Sequence, residues 1–313
     1  MYALEVRNLR KQFGNVTAVD DVSFKIPEGV IFGLLGRNGA GKTTTIRMMM
    51  DIYKPDSGEV LLRGVKAGEE FNSNVGYLPE ERGLYQKMTV MDTLLFFAEL
   101  KGKKGPDVKQ RALQYLEQFD LGARKTSKLA DLSKGNQQKV QFISTILHDP
   151  EFVVLDEPFS GLDPVNTSII RDMILDLKRR GKVIIFSTHL MDFADRMCDN
   201  ICLIHKGKAL LNGPLSEIRR EFGNRNVTVQ AEGDLSFLRG NPIVEAIEDF
   251  GNTTGILVKQ QDDIQELLKL LIQNDIIVKR FDAHTISLHE IFVRVAGDDV
   301  KSGEANMMEG SHV

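Results

Sequence analysis

No apolar run of about 18 residues or more occurs in the chain, so no segment reads as a membrane-spanning helix. Cysteine is nearly as scarce. The two thiols, Cys198 and Cys202, carry neither the spacing of a zinc site nor a disulfide framework, and the expectation is a reduced, cytosolic setting. The opening Met-Tyr-Ala-Leu-Glu-Val has no signal-peptide pattern. Positive charge is not in excess either: 40 Lys and Arg against 44 Asp and Glu give a formal net charge of −4, which offers no broad footprint for nucleic acid, and none is expected as a partner. What remains is a chain of 313 residues with 42% hydrophobic content, enough to bury a sizeable core and to divide into two domains.

The most informative stretch is Gly36-Arg37-Asn38-Gly39-Ala40-Gly41-Lys42-Thr43, which fits G-x-x-x-x-G-K-[ST] at every fixed position. It follows an apolar, strand-like run from Val30 to Leu35 and precedes a helix-compatible stretch from Thr43 to Met50. Glycines at these places let successive backbone N–H groups turn inward around phosphates. Lys42 supplies a positive charge for the β- and γ-phosphates. The Thr43 hydroxyl can ligate Mg²⁺, and the helix N-terminus adds its dipole. The chain therefore reads as a nucleoside triphosphate binder, with Gly36, Asn38, Gly39, Ala40, Gly41, Lys42, Thr43 and Thr44 around the phosphates. A second cluster lies at Phe152-Val153-Val154-Leu155, a continuous apolar run of the kind a doubly buried parallel strand shows, ending in Asp156-Glu157. Carboxylates at the carboxyl end of such a strand meet the ligand crevice. Asp156 is placed to hold Mg²⁺ and Glu157 to orient or deprotonate the attacking water.

Between these clusters lies Leu132-Ser133-Lys134-Gly135-Asn136-Gln137-Gln138-Lys139, and after them come Ser160-Gly161-Leu162-Asp163 and Ser187-Thr188-His189. In this order the stretches resemble the signature motif, D-loop and H-loop of the ATP-binding cassette (ABC) transporter ATPases, a resemblance covering about residues 1 to 225. It implies an ATP-dependent head-to-tail dimer, with a second copy or a related cassette subunit, and two composite sites, in which Ser133, Gly135 and Asn136 face the γ-phosphate held by the opposite subunit and Asp163 belongs to the D-loop. The usual signature reads Leu-Ser-Gly-Gly-Gln, so Lys134 and Asn136 are departures. His189 follows the apolar run Val183 to Phe186, and an imidazole there can hydrogen-bond the γ-phosphate and sense its loss. Phe13, in Phe13-Gly14-Asn15-Val16, resembles the A-loop aromatic that stacks on adenine. The family's Q-loop normally has a glutamine after the strand that here reads Val75-Gly76-Tyr77-Leu78-Pro79; this chain has Glu80, a carboxylate that can approach Mg²⁺, as in efflux-type cassettes.

The expected fold class is α/β. A phosphate-loop cassette (RecA-like core, antiparallel β edge, helical subdomain at about 80–150) fills residues 1–222. Thr89-Val90-Met91-Asp92 opens one helix of that subdomain, with Met91, Leu94, Leu95 and Ala98 on one face. Lys101-Gly102-Lys103-Lys104-Gly105 is a solvated loop. Residues 223–296 read as a small α+β domain: strands at Asn226–Gln230, Gly255–Lys259 and Ile276–Val278, a helix at Asp263–Gln273, and a last helix behind the Ser-x-x-Glu capping box that starts at Ser287. It resembles the accessory domain of sodium-efflux-type and related drug-export ATPases and carries no catalytic constellation. Residues 297–313 read as a disordered tail. The resemblance implies the ATP-hydrolysing motor subunit of an exporter, peripheral on the cytoplasmic face of the membrane through a separate transmembrane permease. A soluble cassette ATPase acting outside transport is the rival reading; the paired cassettes, coiled-coil insertions and basic patches usual in such relatives are not in the sequence.

Overall fold

The computed structural model describes residues 2–67, 74–81, 83–222, 225–284 and 286–297. The chain falls into two units, Met1–Gly213 and Pro214–Val313.

In the first unit, β1 (Tyr2–Phe13) and β2 (Val16–Pro27) form an antiparallel hairpin, and β1 also pairs with β4 (Ser57–Leu62), which carries the short β5 (Val65–Lys66). This four-stranded sheet has the order β2-β1-β4-β5. A second sheet contains β3 (Ile31–Leu35), β6 (Val75–Leu78), β7 (Phe152–Asp156), β8 (Val183–Thr188), β9 (Asn200–His205) and β10 (Lys208–Pro214), in the order β10-β9-β3-β8-β7-β6. Strands β9-β3-β8-β7-β6 run parallel. Their connections include α1 (Lys42–Met49), α2 (Val90–Leu100), α3 (Pro106–Gln118), α4 (Lys134–Ile146), α5 (Pro164–Arg179) and α6 (Met191–Met197).

The unbroken apolar runs of β3, β7 and β8 have a direct cause. Alternate residues feed two different cores: Ile31, Val153, Leu155, Ile184 and Phe186 pack with helices α2 to α5, whereas Phe32, Leu34, Val154 and Ile185 pack with α1 and the β1–β2 hairpin. Both faces of the sheet are therefore dry, and the carboxyl ends of β3, β7 and β8 are where polar chemistry gathers. Burial also pushes the Cys202 thiol up to about 12, which leaves it a packing residue. Helix α2 starts where the capping pattern puts it, with the Thr89 hydroxyl accepting from the Asp92 N–H at 3.2 Å.

The second unit comprises α7 (Leu215–Phe222), β11 (Asn226–Glu232), β12 (Val244–Asp249), β13 (Thr254–Val258), α8 (Asp263–Gln273), β14 (Ile277–His284) and α9 (Leu288–Ala296). Its sheet has the order β12-β13-β11-β14. Ile264, Leu267 and Leu271 of α8 bury against Val227, Val229, Ile256 and Val258, the face that their helical spacing predicts. Two features depart from the sequence reading. Strand β12 is not anticipated, because Val-Glu-Ala-Ile-Glu-Asp is an edge strand with few apolar residues. Strand β14 runs on to His284, well past the expected Val278, because pairing with β11 sustains it through Arg280, Phe281 and Asp282. The capping box forms as expected: Ser287 Oγ accepts from the Glu290 N–H, and the Glu290 carboxylate accepts from the Ser287 N–H at 2.8 Å. The expected tail, past Gly297, lies outside the described residues.

Candidate functional site

Strand β3 ends at Leu35, and the chain then wraps through Gly36, Gly39 and Gly41, all at positive φ, before α1 begins at Lys42. Crowding explains two of these glycines. A Cβ on Gly36 would stand 2.2 Å from the Ile204 carbonyl, and one on Gly41 2.5 Å from that of Ala18. At Gly39 (φ +77) nothing lies within 4 Å of a Cβ position, so this part of the loop faces open space. Residues Asn38 to Thr44 line one cavity together with Ala18, Glu80 and Glu157.

The floor of that cavity is a chain of charged contacts. Lys42 Nζ donates to the Gly36 carbonyl at 2.8 Å and lies 3.2 Å from Glu157 Oε1, an ion pair whose angle falls short of a hydrogen bond. The other oxygen, Glu157 Oε2, lies 3.1 Å from His189 Nδ1. Glu157 is buried and adopts φ +49, the left-handed region that side chains of this kind rarely occupy. One residue earlier, Asp156 Oδ1 accepts from Thr43 Oγ1 at 3.2 Å and from Ser187 Oγ at 2.5 Å. Burial holds the Asp156 carboxyl above its ordinary range, opposed by the hydrogen bonds from Ser187 and Thr43.

Five of the expected side chains thus meet in one network: Lys42, Thr43, Asp156, Glu157 and His189. Glu80 is exposed, but it lines the phosphate-loop cavity and also a polar cavity shared with Gln138, Asp156, Glu157 and Ser160. The remaining expected residues are not part of this network. Ser133 caps α4, its hydroxyl accepting from the Asn136 N–H at 3.3 Å, and Gly135 sits so close to Asn166 that a Cβ would meet its Nδ2 at 2.9 Å. Asp163 caps α5 through the Asn166 N–H at 2.9 Å, which holds its carboxyl below the ordinary range. Phe13, at the end of β1, is 45% exposed and meets Tyr53 edge-on at 5.5 Å.

A family profile described as "ABC transporter" matches residues 19–160, and one described as "ATP-binding protein DrrA1-3-like, C-terminal domain" matches residues 213–296. The ABC transporter ATP-binding protein YhaQ of Bacillus subtilis is 40% identical over 294 residues, which cover 94% of this chain and 98% of YhaQ. The chain belongs to the ATP-binding proteins of ABC transporters. This ABC ATP-binding protein is also similar to the Nod factor export ATP-binding protein I of Ralstonia nicotianae, at 31% identity with 95% of each chain covered. A solved structure described as the ATP-binding subunit of an ABC transporter matches it with a TM-score of 0.66 at 32% identity, covering 70% of this chain and 93% of its own. The cassette binds and hydrolyses ATP, and ATP-binding subunits of this family work with transmembrane partners. Among the described residues, no helix is long and apolar enough to cross a membrane.

The residues fit Mg²⁺ bound with a nucleotide. Asp156 Oδ2 is buried and has no hydrogen-bond partner, while the Thr43 hydroxyl stands beside the same carboxylate. Both are hard oxygen ligands. No group of three or more His, Cys, Asp or Glu that could hold a metal exists among the described residues. Mg²⁺ takes one or two protein oxygens and completes its shell with phosphates and water.

The motif reading missed two residues that the fold puts at the centre. Ser187 joins Asp156 to Glu157, and Gln138, buried in α4, donates to the Pro158 carbonyl at 2.8 Å. Only the pairing of β7 with β8, which sets Asp156 opposite Ser187, brings out the first of these.

Proposed function

We propose that this chain is the ATP-hydrolysing motor subunit of an exporter, working as a head-to-tail homodimer on a separate membrane permease at the cytoplasmic face. The observation that carries the reading is the joined network of Lys42, Glu157 and His189 beside the Thr43–Asp156 pair. Phosphoryl transfer to water needs positioning and charge stabilisation more than covalent chemistry, and these side chains offer both. Thr43 and Asp156 would hold Mg²⁺, with Glu80 at the rim, and the ion would neutralise charge on the phosphates. The glycine loop would receive the phosphates, and Phe13 would lie against the adenine.

The Lys42–Glu157 ion pair gives this site a simple order of events. An incoming γ-phosphate competes with Glu157 for the Lys42 ammonium, which is a stronger match for a multiply charged anion. Glu157 is then released to accept a proton from the attacking water, and His189 hydrogen-bonds the γ-phosphate. Departure of the phosphate restores the ion pair. Ser133, Gly135, Asn136 and Asp163 lie at helix starts outside their own chain's network, which suits service to the nucleotide of a second copy. Export as the direction rests on the relative whose name states it.

Reconstitution with the partner permease in sealed vesicles tests this reading. ATP added at the cassette side is expected to drive substrate away from that side, and movement towards it would refute export. Light scattering of the Glu157→Gln protein with ATP is expected to show twice the mass of the nucleotide-free protein.

A further inference from the structure

The hydroxyl of Ser187 hydrogen-bonds to both acidic residues of the site. Strand pairing sets it there: Ser187 of β8 lies directly opposite Asp156 of β7, and it is fully buried. Its Oγ donates to Asp156 Oδ1 at 2.5 Å and accepts from the Glu157 backbone N–H at 3.0 Å. A hydroxyl has one proton and two lone pairs, so the direction of each bond is fixed. The proton goes to Asp156 because the Glu157 N–H can only donate.

Two consequences follow for the reacting groups. At Asp156, Oδ1 accepts from both Ser187 and Thr43 while Oδ2 is left without a partner, so the carboxylate is held with one oxygen anchored and the other kept for a ligand. At Glu157, the backbone is held at φ +49, where a non-glycine residue stays only if its surroundings enforce it. The bond from its N–H to Ser187 is one such restraint. It aims the side chain whose two oxygens reach Lys42 and His189.

We propose that Ser187 is a positioning residue for ATP hydrolysis, fixing the carboxylate of Asp156 and the backbone of Glu157 with one hydroxyl. It does not line the phosphate-loop cavity. The proposal rests on the assignment of Mg²⁺ to Asp156 and of the attacking water to Glu157.

The test compares the full-length wild type, Ser187→Ala, Ser187→Cys and Glu157→Gln, measuring ATP binding without Mg²⁺ and steady-state hydrolysis across a Mg²⁺ titration. Ser187→Ala is expected to bind ATP without Mg²⁺ as the wild type does, because the phosphate loop is untouched. It is expected to turn over about tenfold more slowly at saturation, the size of one lost hydrogen bond to a charged group, and to need several-fold more Mg²⁺ for half-maximal rate. Ser187→Cys, which keeps a weak donor, should lie between the two. The proposal is overturned if Ser187→Ala matches the wild type in both rate and Mg²⁺ requirement. It is equally overturned if Mg²⁺-free ATP binding falls in step with the rate, since the residue then serves only the fold. Wild-type turnover by Glu157→Gln would instead sink the underlying reading of Glu157 and leave the Ser187 results to be judged on Mg²⁺ requirement alone.

Discussion

The two units bury polarity in different ways. In the first, Lys42, Asp156 and Glu157 are buried, and Asp156 Oδ2 has no hydrogen-bond partner. In the second, the buried polar residue among those described is Asn226, and both ends of its amide are used: Nδ2 donates to Glu290 at 3.1 Å and Oδ1 accepts from Arg294 at 3.3 Å. An unsatisfied buried acceptor costs free energy that a structural amide with full pairing avoids. The cassette tolerates that cost at Asp156, where a ligand will meet it. A buried carboxylate oxygen left open beside a phosphate-loop cavity therefore marks the unit that does chemistry.

The largest expected effect comes from removing the charge at the centre of the first unit. Glu157→Gln should lower hydrolysis by about a thousandfold while ATP still binds, because the amide keeps the shape but accepts no proton. Lys42→Ala should differ in kind by losing ATP affinity itself, since the Lys42 ammonium is the buried positive charge that lines the phosphate-loop cavity. Equilibrium ATP binding and phosphate release, measured on the same proteins, separate the two. If both variants lost only affinity, the division of roles between phosphate loop and β7 would be wrong.

The matching change in the second unit is Leu267→Ala, at a fully buried position of α8. It should destabilise that unit by about 2–5 kcal/mol, through lost burial and a residual cavity, and leave ATP affinity unchanged. Chemical denaturation followed alongside nucleotide binding checks this, and a parallel fall in affinity would break the contrast between the units.

Acid should sharpen it. Burial pushes the His148 imidazole of the first unit down to about 4. The folded form is thus the poorer proton acceptor, and the unfolded chain takes up the proton first, near 6.5. Stability of the first unit should be unaffected above that pH and fall as pH drops through 6.5 towards 4, by about 3 kcal/mol in the limit. His148→Gln, which can still donate to the Val75 carbonyl, should flatten the dependence in melting curves taken across this range. The second unit has no buried histidine among its described side chains.

The smallest effect is at the edge of the second unit, where Ser287→Ala removes the hydroxyl half of the capping box. About 1 kcal/mol of stability should be lost, without change in hydrolysis. An altered rate would show that α9 bears on the site.

The sequence by itself determined the parts of this protein whose chemistry is local. A phosphate loop needs its glycines, lysine and threonine within a few consecutive residues, and a doubly buried strand needs an unbroken apolar run, so both can be read along the chain. Helix α8 and the capping box of α9 are legible for the same reason, because turns of a helix bring residues three and four apart together. The tertiary structure alone decided the contacts between distant segments. Ser187 serves Asp156 and Glu157 only because β7 and β8 pair in that register, and Lys42 reaches Glu157 only because β3 and β7 flank β8 in one sheet. The strand β12 belongs here too: its polar sequence gives no period to read, and pairing with β13 is what makes it a strand. Register and strand order are set by how whole sheets pack and twist together, and no short stretch of sequence records them.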